Sequence, residues 1–174
     1  MARRTEPLGL RCVAFDPYVE PATVRAGVEL VDLETLLARS DFVCVTCPLT
    51  PETHRLIDRR RLESMRPGGY LINVARGPIV DTLALADALR EGHLAGAALD
   101  VFETEPGEPD HPLLTLDNVI LSPHAIAYTS SAFTGLGATA TSNVLAVARG
   151  AVPRHIANPA VLDHPRWRAP ELAQ

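Results

Sequence analysis

Cysteine is scarce in this chain. Three cysteines in 174 residues cannot all pair with one another, and they sit in apolar runs, so a reducing, cytoplasmic setting is expected. Positive charge is also short. Sixteen Lys and Arg stand against 21 Asp and Glu, for a net charge of -5, whereas nucleic-acid binders carry a basic face. No apolar run approaches the ~20 residues that cross a bilayer, and the N-terminus leads into a polar stretch rather than the apolar core of a signal peptide. Internal repeats, low-complexity blocks and a glycine loop of the form GxGxxG are absent. What remains is a chain that is 47% hydrophobic, enough to build a core, with a length that suits one domain and a tail.

Short β-branched runs alternate with helical patterns. Residues 12–15 (CVAF), 28–31 (VELV), 42–46 (FVCVT), 70–74 (YLINV), 97–102 (AALDVF) and 119–122 (VILS) read as strands. Asp32, Asp58 and Asp81 precede helical patterns, and a side-chain oxygen at that position caps the first turn. The first helix is expected over 33–38 and the second ends near Met65. The third presents Leu83, Ala86 and Leu89 on one face and closes at Gly92. The strands are continuous apolar runs, as in a parallel sheet covered on both faces. Alternating strands and helices with short loops predict an α/β fold with a doubly wound parallel sheet. Residues 129–149 predict a helix weakened in its first half by Gly135 and Gly137. From Ala151 on, Pro153, Pro159, Pro165 and Pro170 predict an extended tail. The expected division is 1–150 for the folded domain and 151–174 for the tail.

In open α/β sheets, ligands bind beyond the carboxyl ends of the strands. Asp16 and Pro17 fall at such an end, as do Thr46 and Pro48, Val74 to Arg76, Asp100 and His124. An Asp at position 16 suits the two ribose hydroxyls of adenosine and repels a 2′-phosphate, which favours NAD over NADP. By itself, Asp before Pro is equally a turn former. Arg76, Glu105 and His124 form a sharper set. Chemistry on a hydroxy or keto acid needs a cation for the carboxylate, a group that exchanges the hydroxyl proton, and a partner for that group. A guanidinium offers forked donors, histidine titrates near neutrality, and a carboxylate orients the ring. Taken singly, each has a bland reading as a surface or loop residue. Cys44 and Cys47 form a CxxC on a strand, where residues three apart point to opposite faces, which argues against a zinc or redox pair. No metal site is expected. His54, His93, His111, His155 and His164 lack ligand spacing.

NVARGPIVD, HLAGAALDVFETEP and NVILSPH resemble, in order and spacing, the signature segments of the D-isomer-specific 2-hydroxyacid dehydrogenases. VAFDPYV and CPLTPETHRLID add two further similar blocks. Arg76 and Glu105 are 29 positions apart (105 − 76), and Glu105 and His124 are 19 apart. The resemblance runs from about Met1 to Pro159 and implies a Rossmann-like fold, NAD as cofactor and a small 2-keto or 2-hydroxy acid as substrate. It also implies a homodimer for an intact member, with no direct nucleic-acid or membrane partner. Arg76, Glu105 and His124 are then the catalytic residues. Asp16, Pro17, Thr46, Pro48, Thr53, Val74, Ala75, Arg76, Asp100, His124 and Ala127 are the cofactor-binding ones. Glu105 directly precedes Pro106 and so matches the family glutamate, whereas the formate dehydrogenase branch carries Gln there. PHAIAYTS is most similar to the branch that includes the C-terminal-binding protein corepressors, although Ala127 stands where that branch usually has a large aromatic. The family often has His at the position of Thr46.

The resemblance places a GxGxxG turn roughly 20 residues before Asp16, ahead of residue 1. The first strand, the pyrophosphate-binding helix N-terminus and most of the substrate lobe are therefore expected to be missing from these residues. In the strand order 3-2-1-4-5-6, the missing strand is central. The strands at 12–15 and 42–46 are thus expected either to close directly on each other or to stay open. The 174-residue chain is expected to be inactive as a dehydrogenase, weak in NAD binding, and destabilised or self-associating. Two alternatives stand beside the enzyme: a dinucleotide-responsive interaction domain of corepressor type, and a degraded remnant.

Overall fold

The computed structural model describes residues 2–168, in two compact units, Met1–Ile126 and Ala127–Gln174. In the first unit the three aspartates cap as expected. Asp32 accepts from the Thr35 N–H at 2.7 Å, Asp58 from Arg61 at 2.9 Å and Asp81 from Ala84 at 3.0 Å. They start α2 (Leu33–Arg39), α3 (Arg59–Ser64) and α4 (Thr82–Arg90). A short α1 (Ala2–Thr5) precedes them. The strands are β1 (Cys12–Ala14), β2 (Val28–Leu30), β3 (Phe42–Val45), β4 (Gly69–Asn73), β5 (Leu94–Leu99) and β6 (Val119–Leu121).

Every strand pair is parallel. The strands form two separate sheets, β1-β2 and β3-β4-β5-β6, and β1 shares no ladder with β3. Of the two expected outcomes for this gap, the edges therefore stay open. Strand β5 begins three residues earlier than the sequence suggests, because Leu94 already pairs with Gly69. Gly96 allows this, since a Cβ there would lie 2.8 Å from the Asn118 carbonyl.

Helices α2, α3 and α4 lie side by side and cover one face of the larger sheet. Leu37, Leu62 and Leu85 from the helices and Met65 just past α3 meet Val43, Val45, Leu71, Ala97 and Leu99 from the strands in one buried cluster. The other face departs from expectation. Phe42 and Tyr70 stack at 5.1 Å yet both are exposed, as is Ile120. Apolar runs mark a strand able to take a layer on both faces, but they do not supply the second layer.

Helix α4 also corrects its predicted register. Leu83 is 66% exposed, while Ala84, Leu85, Ala88 and Leu89 are buried with Ala86. The segment TLALADALR is apolar almost all round, so periodicity cannot choose between faces.

In the second unit, α5 (Ser130–Ala148) is one continuous 19-residue helix, capped by Thr129 and carrying no buried residue. Thus Gly135 and Gly137 do not interrupt it. The expected extended tail instead holds a 3-10 turn at Pro159–Asp163 and a short α6 (Pro165–Arg168). Proline at a first helical position costs no hydrogen bond, so Pro159 and Pro165 start turns rather than prevent them. Pro170 lies outside the described residues. Among the described residues, no helix is long and apolar enough to cross a membrane.

Candidate active site

Three loops leave the carboxyl ends of β4, β5 and β6, and each carries one member of the Arg76, Glu105 and His124 set. The first loop turns tightly after Asn73, a fully buried side chain at the end of β4. Its Oδ1 accepts from Ala75 N–H and its Nδ2 donates to the Arg76 carbonyl, both at 3.0 Å. Arg76 itself is exposed, with Nη1 donating to its neighbour's carbonyl at 2.6 Å.

The next residue, Gly77, lies against the second loop. A Cβ at Gly77 would fall 2.0 Å from the Phe102 carbonyl carbon, a distance no side chain permits. The loops of Arg76 and Glu105 therefore touch backbone to backbone. Glu103 ties the second loop to α4 by accepting from Thr82 N–H at 3.1 Å. Glu105 turns back, with Oε1 accepting from Phe102 N–H at 3.0 Å.

Asp100 governs the third loop. It is 3% exposed and accepts from the Ser122 hydroxyl, from Ala125 N–H at 2.8 Å and from Ile126 N–H at 3.2 Å. Burial pushes its carboxyl up, but these donors, with His124 nearby, outweigh burial and hold it below the usual carboxylate range. Between the gripped residues, His124 adopts φ +54°. Its Nδ1 lies 2.7 Å from Glu105 Oε2.

Glu105 is held below the ordinary glutamate range, first by the His124 hydrogen bond, then by Phe102 N–H, with a smaller contribution from the Arg76 charge. An ionised carboxylate only accepts, so Nδ1 carries the shared proton and Nε2 is the ring nitrogen that Glu105 leaves unengaged. The pair is about two-fifths exposed, 45% for His124 and 37% for Glu105.

The remaining predicted residues sit around this trio. Asp16 follows β1, and its Oδ1 accepts from Tyr18 N–H at 2.9 Å. Its Oδ2 has no hydrogen-bond partner among the described residues. Asp16 and Pro17 are exposed, as are Thr46 and Pro48 beyond β3. The Asp16 charge is felt at Cys47, so the ends of β1 and β3 lie near one another. Thr53 is occupied by its own loop, donating to the Pro48 carbonyl at 2.7 Å. Val74 is half-buried and Ala75 buried. Ala127 begins the second unit. Burial pushes the Cys44 and Cys47 thiols up, which disfavours the thiolates a metal or redox pair needs. A hollow of about 620 Å³ along α5 and one of about 180 Å³ between α3 and α4 are lined by none of the trio.

Sequence reasoning missed Asn73 as a residue in its own right. Its signal was present, since an uncharged amide ending an apolar strand must find partners when buried. Asp100, expected at the cofactor, also holds the loop of His124 with its carboxylate.

Parallel strands with loops gathered at their carboxyl ends, one of them pairing a histidine with a carboxylate, make an α/β domain of the dinucleotide-binding type. Residues 1–125 match the family model described as "D-isomer specific 2-hydroxyacid dehydrogenase, NAD binding domain", and the chain belongs to that family. A glyoxylate reductase of Thermofilum pendens is 50% identical over 140 residues, 80% of this chain and 41% of the relative. A D-3-phosphoglycerate dehydrogenase of Archaeoglobus fulgidus is 42% identical over 159 residues, 91% of this chain and 30% of the relative. Among solved structures, the NAD-complexed D-isomer specific 2-hydroxyacid dehydrogenase of Lactobacillus delbrueckii ssp. bulgaricus superposes with TM-score 0.81 at 30% identity. That match covers 90% of this chain and 52% of the other. The chain thus spans about half or less of the length of the relatives it matches.

Proposed function

We propose that this chain is the NAD-binding part of an oxidoreductase that interconverts a 2-keto acid and a D-2-hydroxy acid, glyoxylate being the first keto acid to test. The observation that carries the reading is the 2.7 Å pair of His124 Nδ1 and Glu105 Oε2, on a loop neighbouring that of Arg76. NAD, when bound, supplies the hydride donor and acceptor. The residues present suit it. The Asp16 carboxylate keeps one oxygen for ribose hydroxyls, and the exposed Thr46 and Pro48 beyond β3, with Arg76 beyond β4, offer a surface for the rest.

In the reducing direction, Arg76 binds the carboxylate of the keto acid by its forked donors. His124 gives the Nε2 proton to the carbonyl oxygen as it becomes a hydroxyl. Glu105 holds the ring in the tautomer that leaves Nε2 unengaged and stabilises the charged imidazolium. In the oxidising direction His124 takes that proton back. We place the protein in the cytoplasm on its three unpaired cysteines, and the family suggests a homodimer.

The test is a chimera. This chain is joined to the part of the Thermofilum pendens glyoxylate reductase that lies outside the match, and NADH oxidation by glyoxylate is followed. The chimera is expected to turn over, and His124→Ala to lower kcat by roughly 100-fold or more, the usual scale for a lost general acid. A fully active His124→Ala chimera would remove His124 from the mechanism.

A further inference from the structure

We infer that Asn73 is a positioning residue for Arg76, and that its carboxamide, together with the side-chain-free Gly77, sets where the guanidinium stands relative to Glu105 and His124. The inference rests on the dehydrogenase reading for the importance of Arg76, but its geometry stands apart from that reading.

Among the described residues, the buried polar or charged side chains are Asn73 and Asp100. They end neighbouring strands and are linked directly, the Asp100 N–H donating to the Asn73 carbonyl at 3.0 Å. Each spends its side chain on a loop that carries a member of the trio. Asp100 grips the His124 loop, and Asn73 grips the Arg76 loop. Asn73 uses both halves of its amide, the acceptor on Ala75 N–H and the donor on the Arg76 carbonyl. The same carbonyl also takes the Ile79 N–H at 3.3 Å, so the Arg76 peptide is fixed from two sides. A side chain that only filled space at this position would be apolar, like its buried neighbours in β4. Burying an amide is costly unless both its groups are paired, and here both partners lie in the turn that ends at Arg76.

The next residue transmits the constraint. Gly77 presses against the backbone of Phe102 and Glu103, and Glu105 bonds back to Phe102 N–H. Arg76 and Glu105 are therefore held on two loops in rigid mutual register, with Asn73 as the internal brace of the first.

The test uses the 174-residue chain itself. Asn73→Leu keeps most of the volume and removes both bonds. Asn73→Ser is the milder variant, with a hydroxyl too short to reach both partners. Leu71→Val, in the core of the same strand, is the control for simple destabilisation. Amide hydrogen exchange and the Arg76 Nε–Hε NMR signal are read on each. Both Asn73 variants are expected to speed exchange at Ala75 by about tenfold relative to Leu71 and Ile72, and to move the Arg76 signal toward that of an unrestrained arginine. Leu71→Val is expected to raise exchange across the strand and leave the Arg76 signal in place. If Ala75 exchanges in step with the rest of β4 in both Asn73 variants and the Arg76 signal does not move, the inference is overturned. These data decide the inference whatever the turnover of the chimera, which tests the dehydrogenase reading alone.

Discussion

His124 occupies left-handed backbone, φ +54°, a region that costs an L-residue roughly 1–2 kcal/mol. It stays there because the residues after it are held, Ala125 and Ile126 both donating to Asp100. The grip depends on charge. The folded-state pKa of Asp100 is depressed, so its stabilisation is complete above the unfolded aspartate value of about 3.9 and is lost as pH falls through the lower folded value. Exchange at the Ala125 and Ile126 amides, measured on an acid titration, should stay slow at pH 5 and accelerate only below about pH 4. Release already at pH 5 would show that the carboxylate is not what holds the loop. Gly77 makes a second demand at this scale. Gly77→Ala puts a methyl group against the Phe102 carbonyl, which belongs to the backbone and cannot swing away. A loss of at least about 3 kcal/mol is expected, the range reached when a substitution overpacks a rigid site. Urea denaturation of the variant measures it, and a loss under about 1 kcal/mol would mean that the two loops slide apart easily.

The helices and strands show which features a sequence states openly. Asp32, Asp58 and Asp81 each cap the helix expected of them, because capping joins a side chain to a backbone group two or three residues away and needs no distant partner. Asp58→Ala should cost about 1 kcal/mol of stability by chemical denaturation. A neutral result would mean that water replaces the cap. Leu83 was misread for the opposite reason. Which side of α4 faces the sheet is decided by what lies underneath, and an almost wholly apolar helix does not declare it. The same limit explains the larger sheet. Its apolar runs were legible, whereas the exposure of Phe42, Tyr70 and Ile120 depends on layers that no run of β3, β4 or β6 encodes. At the site, the residue types and spacings of Arg76, Glu105 and His124 were readable and the structure pairs two of them. The bracing of their loops was not readable, because Asn73 and Asp100 act through backbone groups that only folding brings near.

Across the whole first unit, stability is unevenly spread. The larger sheet, its helices and the loops that join them hold the entire buried cluster. By contrast, residues 2–31 contain no buried residue. The β1-β2 pair has no ladder to β3, and an exposed Glu29–Arg39 ion pair at 2.8 Å joins it to α2, a kind of contact that water and salt screen. Native-state exchange should therefore find residues 12–14 and 28–30 opening well below the free energy of global unfolding. Equal protection in β1 and β4 would contradict this. Asp16, the group we propose for the adenosine ribose, hangs from that weak sheet. A dinucleotide can use Asp16 only in molecules whose β1-β2 segment is ordered, so the observed affinity is the intrinsic one scaled by that ordered fraction. If about one molecule in ten is ordered, binding weakens about tenfold with no contact changed. Whatever orders the segment, whether a neighbouring strand or a cooler solution, then acts as a positive effector of NAD binding without touching the nucleotide.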